Sequence, residues 1–199
     1  MPKAPVKRFA RHLQDIQSAR GRMELLFTQG HLSQRDLDAT YEAFFLRAVA
    51  HFEAYLEHLF FSILLAEAKY PAARGVRRLM RIGPATRIRD LVFQGRPYVD
   101  WMPIDHAQKR AKIYLDGGKP FSDIKDQDRA MLGTISTIRN AIAHKSEHAR
   151  RKFENEVLGN LPLLARERTP AGYLRVTVGV STKFEAYVGE LARIANNLS

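Results

Sequence analysis

The feature that most constrains this chain is the stretch from Ser33 to Tyr70, which contains neither proline nor glycine before Pro71 stops it. Within it Tyr41, Phe45, Ala48, Phe52, Leu56, Leu59 and Ile63 recur every three or four residues. That period puts them on one side of an α-helix and predicts a wide apolar stripe that other elements must cover. Ser33 with Asp36 three residues later makes a capping-box-like start. A straight helix of this length spans about 50 Å at 1.5 Å per residue. That exceeds what a compact small domain needs, so the helix either bends or extends a dimer interface.

The rest of the chain supports helices of its own. One is expected from about Val6 to about Gln29, closed by Gly30, and another runs without proline from Asp126 to about Lys145. Between them Gly83-Pro84, Pro97 and Pro103 break the pattern into short helices at 74–82, 86–94 and 105–115, so 72–120 reads as an insertion-like basic region. Beyond the third long helix we expect a short helix at 148–158 and a charged loop at 162–172. YLRVTVGV, Tyr173 to Val180, alternates and is β-branched, which predicts one strand, unpartnered within the chain and free to pair across a dimer. Thr182 and Glu185 form a capping box opening a last helix to about Leu198. The expected fold is therefore all-α: an antiparallel helical bundle, one domain over 1–199, with at most an isolated strand or small hairpin near the C-terminus.

Composition sets limits on function. With 199 residues and 45% apolar content the chain has enough material for a core, and the absence of cysteine excludes disulfides, thiolate zinc sites and cysteine nucleophiles. The basic start MPKAPVKRFARHL is not followed by a long apolar stretch, so no signal peptide is expected. The most apolar segment, 44–66, carries Arg47, His51, Glu53, Glu57 and His58 and does not suit lipid. A soluble, cytoplasmic protein without membrane contact is expected. The net charge of +11 draws polyanions whatever the fold, and nucleic acid leads among them. Arg74, Arg77, Arg78 and Arg81 have the spacing of one helix face and could track phosphates, though such a face also suits plain solvation or an acidic protein partner. Arg150, Arg151 and Lys152 make a second basic group.

The chemistry concentrates in RNAIAH, Arg139 to His144. It sets a permanent cation, an amide and a titratable imidazole in six residues, a combination suited to phosphodiesters. On an uninterrupted helix Leu132, Ile135, Ile138 and Ile142 form an apolar seam, while Gly133, Thr137, Asn140 and His144 share a nearly opposite stripe whose small residues admit a close neighbour. Arg139 projects beside the seam, roughly 140° from His144. It must pair with a carboxylate or wrap toward the imidazole. Glu53, at the edge of the upstream stripe, is a partner for it, although a solvent-facing Glu53 is the simpler arrangement. The same residues also suit a structural role, with Arg139 tying two helices together, Asn140 bonding between them and His144 favouring a helix C-terminus.

Arg139, four intervening residues and His144, with Asn140 directly after the arginine, resemble the Arg-x4–6-His motif of the HEPN superfamily, and FEAYLEHLFF, 52–61, is similar to its earlier bundle helix. The two segments and their order cover most of the span from Ser33 to His148, and the last fifty residues carry no matching motif. The resemblance implies a helical bundle that commonly dimerises across the motif and often acts as a metal-independent endoribonuclease of toxin or abortive-infection systems. By position, Arg139 would hold the scissile phosphate, His144 would move the proton, and Asn140 would orient His144 or a phosphate oxygen, with Glu53 in support. The 2′-hydroxyl of RNA serves as nucleophile, so neither metal nor cofactor is expected. The partners implied are RNA, a second copy of the chain, and a cognate antitoxin or nucleotidyltransferase. Silent relatives imply a second possibility, a non-catalytic binding or scaffold module.

Other constellations are weaker. His51 and His58 lie seven apart without the carboxylate spacing of a helical zinc site, and His12, His31 and His106 have no companions in the sequence. Phe93, Tyr98 and Trp101, close to many arginines, either stack on bases or form a satellite core.

Overall fold

The computed structural model describes residues 5–65, 75–79 and 85–199. The Ser33–Tyr70 stretch forms helix α2, Gln34–Leu64, and it is the axis of the molecule. Ser33 caps its start, accepting the Asp36 N–H at 3.2 Å and donating to the Asp36 carboxylate at 2.6 Å. The helix closes at Leu64, earlier than expected, with the Leu65 N–H returning to the carbonyls of Phe61 and Ile63. The expected extension through 66–70 lies outside the described residues.

Every member of the predicted stripe is buried, and Tyr41, Phe45, Phe52 and Phe60 have no exposed surface at all. Helix α1, Pro5–Thr28, folds back along α2 through the turn at Gly30, where φ is +76° and glycine is favoured. Phe9 seats its ring 5.8 Å from Phe52 and 5.5 Å from Tyr55. The short helices α3, Ala85–Phe93, and α4, Ile104–Tyr114, close over the far end of α2. There Phe60 packs against Trp101, Tyr114 and Phe121 with centroids 5.2 to 6.0 Å away. Much of the region read as an insertion is thus part of the same core.

Helix α5, Asp126–Ala143, lies against α2, and the bundle is completed by α6, Glu147–Phe153, α7, Pro170–Arg175, and α8, Lys183–Asn197. The Thr182–Glu185 capping box that opens α8 is present. Arginines tie the helices together: Arg193 of α8 to the buried Asp128 of α5, Arg20 of α1 to Glu185 of α8, and Arg175 of α7 to Asp38 of α2 at 3.3 Å. The fold is all-α, and no helix among the described residues is long and apolar enough to cross a membrane.

Three expectations are corrected. Tyr173–Val180 is not one strand: Tyr173 to Arg175 end α7, and Thr177–Val178 (β1) turns at Gly179 to pair with Ser181–Thr182 (β2), so its partner is local. The buried Tyr173 and Leu174 belong to a helix started by Thr169 and Pro170, a cap outweighing the β-propensity that follows. The charged loop at 162–172 accordingly contains a 3₁₀ turn, Ala165–Arg168, and the start of α7. The described part of the 74–82 segment, 75–79, is irregular rather than helical, held by a bridge between Arg78 and Leu115, while Arg74 and Arg81 lie outside the described residues.

Gly172 shows how tightly α7 is seated, since a Cβ there would lie 1.9 Å from the carbonyl oxygen of Arg166. Gly172→Ala is expected to lower stability by about 1–3 kcal/mol in urea denaturation. Gly133→Ala, in open space on α5, should instead raise it by about 0.5–1 kcal/mol.

Candidate functional site

The RNAIAH segment straddles the end of α5. Arg139 and Asn140 are in its last turn, and His144 is the first residue out of the helix, with φ −118° and ψ 108°. The His144 N–H still donates to the Asn140 carbonyl at 2.9 Å. The stripe of Gly133, Thr137, Asn140 and His144 is therefore broken at its end, and it is also covered in the middle. Thr137 is buried and donates its hydroxyl to Glu156 at 3.2 Å, from the widened turn Glu154–Leu158 that follows α6.

Arg139 and His144 face different surroundings. Arg139 is half-buried on the α2 side and donates from Nη1 to Asn140 Oδ1 at 2.9 Å. Its guanidinium also acts on Glu53, which is half-buried rather than facing freely into solvent. Burial pushes the Glu53 carboxyl above its ordinary value, Arg139 pulls it partway back, Asp100 adds to the rise, and the Met102 backbone N–H opposes it. The preference for a solvent-facing Glu53 thus gives way to a half-buried carboxyl that feels Arg139 through space, without an ion pair between them.

His144 is exposed and lines a cleft of about 660 Å³ between the α5–α6 linker and the start of α7. Lys145, Arg150 and Arg168 line this cleft together with the carboxylates of Glu42 of α2, Glu147 and Glu154. Burial raises the Glu42 carboxyl, and Lys145 opposes that rise. Neither Arg139 nor Asn140 reaches the cleft. Lys145, Arg168 and Glu42 were not singled out from sequence: only Lys145 adjoins the motif, and the other two arrive through tertiary packing.

The remaining basic residues are largely engaged. Arg77 meets Asp116 at 3.2 Å and Arg78 donates to the Leu64 carbonyl at 3.2 Å, so they do not form a helical ridge. On and just beyond α6, Arg150 pairs with Glu154 at 2.8 Å, Arg151 with Glu147, and Lys152 with Glu156 at 3.8 Å. These exposed pairs are individually weak. Trp101 is buried, donates to Glu57 at 3.1 Å and lies under Arg110, and Phe93 is half-buried beside Phe61. Both belong to the core, whereas Tyr98 stands out at 72% exposure in a cleft of about 690 Å³ with Arg96, Lys109 and Arg110.

The raised Glu53 carboxyl has a consequence for stability. The folded protein holds this proton more tightly than the unfolded chain, so its contribution is complete below the unfolded carboxylate range and is lost as pH rises through the folded value. Glu53→Gln is expected to flatten that decline and to be neutral or mildly stabilising near neutral pH. Arg139→Ala leaves the carboxylate without its counter-charge and should lower the urea midpoint at the same pH, more so at neutral pH than in acid. Equilibrium unfolding at both pH values checks the order. The chain matches no family model, no curated protein and no solved structure, so its own geometry carries the functional reading.

Proposed function

We propose that this protein binds RNA and cleaves it as a metal-independent, HEPN-type endoribonuclease, with His144 as the proton-transfer group. The observation that carries the reading is the exposed His144 imidazole at the α5–α6 linker, in a cleft that also holds Lys145, Arg150 and Arg168. The 2′-hydroxyl attacks the adjacent phosphorus and loses its proton. The 5′-oxygen leaves and takes one up, giving a 2′,3′-cyclic phosphate and a new 5′-hydroxyl. The cations of the cleft offset the charge that grows on the phosphorane oxygens. Two proton transfers need two groups, which a homodimer supplies by presenting both His144 side chains to one groove. In this reading Arg139 and Asn140 brace the end of α5, and Arg139 joins the phosphate only by leaving Asn140. Cytoplasmic defence or stress response, with a cognate antitoxin, is the setting the motif suggests.

One observation favours a second reading. Arg139 is held by Asn140, lies in the field of Glu53 and does not meet His144, which suits a non-catalytic RNA-binding or scaffold module, including one that serves a separate toxin or nucleotidyltransferase.

Purified protein in EDTA is expected to cut single-stranded RNA to 2′,3′-cyclic ends. His144→Ala should reduce the rate by about 10²-fold or more while RNA affinity stays within a few-fold. Equal cleavage by wild type and variant would remove His144 from the chemistry, and binding without cleavage by both would establish the module reading.

A further inference from the structure

Outside the RNAIAH region the structure assembles a histidine pair that the sequence does not reveal. His12 of α1 and His51 of α2 stack with ring centroids 4.1 Å apart and planes only 5° from parallel. Both are half-buried in a cleft of about 620 Å³ between the two helices, and Arg8, Arg11 and His58 share that cleft. No carboxylate lines it among the described residues. That sets it apart from the other α1 and α2 contacts, where Arg20 meets Glu185, Arg175 meets Asp38 and Arg89 meets Glu57. No ion pair to a carboxylate joins Arg8, Arg11 or Arg47 among the described residues.

A metal does not suit this arrangement. Imidazole lone pairs lie in the ring plane, and two nearly parallel planes about 4 Å apart cannot both point at one ion held at about 2.0–2.1 Å. The surrounding guanidinium groups repel a cation as well. An anion suits it on both counts: the arginines present planar donors, and a proton taken up by the imidazole pair becomes favourable once negative charge arrives. The groups acting on His51 are Arg8 and His12 from α1 and Arg47 from α2, all basic, and Arg11 and His58 line the same cleft. Burial first, then His12, Arg47 and Arg8, hold His51 toward its neutral form.

The floor narrows the ligand further. Pro5, Phe9, Ala54 and Tyr55 line the cleft beside the imidazoles, and since Phe9 and Tyr55 are almost wholly buried, a base meets chiefly Pro5, Ala54 and the half-buried imidazoles, in a volume within the range of small-ligand sites. A phosphate monoester carries about 1.5 to 2 negative charges near neutrality, against one for a diester, and so better matches two arginines and a protonating histidine pair. We propose that the α1–α2 cleft recognises a phosphate monoester borne on a nucleoside, as a free nucleotide or as the phosphorylated end of an RNA chain. The site does not depend on cleavage at His144.

The test is calorimetry, together with NMR of the histidine C2–H resonances, on the full chain. The probes are adenosine 5′-monophosphate, adenosine, inorganic phosphate, and 2′-O-methyl octaribonucleotides with a 5′-phosphate or a 5′-hydroxyl. The monophosphate is expected to bind about tenfold or more tightly than adenosine or inorganic phosphate. Its binding should strengthen as pH falls from about 7.5 to about 6 and should move the His12 and His51 resonances toward the protonated position. A preference for the 5′-phosphorylated octamer assigns the ligand to RNA ends, and equal octamer binding beside a bound monophosphate assigns it to free nucleotides. Arg8→Ala with Arg11→Ala, both on exposed positions and safe for folding, should weaken monophosphate binding about tenfold or more, as should His51→Gln, while His144→Ala should bind as wild type does. The proposal fails if neither phosphorylated probe shifts the two histidines, if inorganic phosphate binds as well as the nucleotide, or if binding survives the arginine substitutions and is lost in His144→Ala.

Discussion

The whole molecule depends on burying the face of α2, a 31-residue helix of which Tyr41, Phe45, Phe52, Leu56, Leu59 and Phe60 are fully enclosed. No single helix is wide enough to cover such a stripe, so α1, α4, α5, α7 and α8 each take a sector of it. The polar groups along its margins then fall between helices and need partners there. The Tyr41 hydroxyl donates to Glu24 and accepts from Arg20, and burial helps raise it to about 12. Glu57 takes Trp101 and Arg89, Glu53 takes the Met102 N–H and the field of Arg139, and His51 takes the His12 ring. These marginal contacts, rather than the apolar core, give each surrounding helix its register.

That logic accounts for what was legible in the sequence. The helical class, the stripe of α2, the extent of α1 and the two capping arrangements at Ser33 and Thr182 follow from local period and local hydrogen bonding, which a sequence displays directly. The end of α5 does not. Nothing between Ile142 and Ser146 is a proline or glycine, yet the helix stops at Ala143 because Ser146 caps the next one, accepting the Ala149 N–H at 3.2 Å. Ser146 before Glu147 was the available signal, an N-cap followed by an acid in the first turn. Because that signal splits the motif from its helix, helical spacing places Asn140 correctly and His144 wrongly.

The other departures share a cause. The arginines of 75–79 were expected to build a helical ridge, but Arg78 bridges to Leu115 and Arg77 is drawn to Asp116, both contacts with a segment far along the chain. YLRVTVGV alternates as a strand does, yet its first residues are claimed by the cap at Thr169 and by burial of Tyr173 against Phe153 and Tyr187. The stacked histidines lie 39 residues apart and the cleft around His144 joins Glu42 to Arg168, 126 residues apart, with no common period to announce them.

The excess positive charge is consequently organised by cleft and not by ridge. Arginines that tie helices together are neutralised there, as Arg20, Arg175 and Arg193 are, and contribute little to the field outside. Arg8 and Arg11 beside the histidine pair lack such local compensation among the described residues and face an open cleft, where field lines concentrate, whereas Lys145, Arg150 and Arg168 share theirs with Glu42, Glu147 and Glu154. The two functional readings then differ in one geometric demand. Transesterification needs a proton removed and a proton donated at one linkage, and a single protomer brings one imidazole to the α5–α6 linker. Cleavage therefore needs a second proton-transfer group at that linkage, from a facing protomer or from Glu42 on the cleft wall, whereas binding through the same cations needs none.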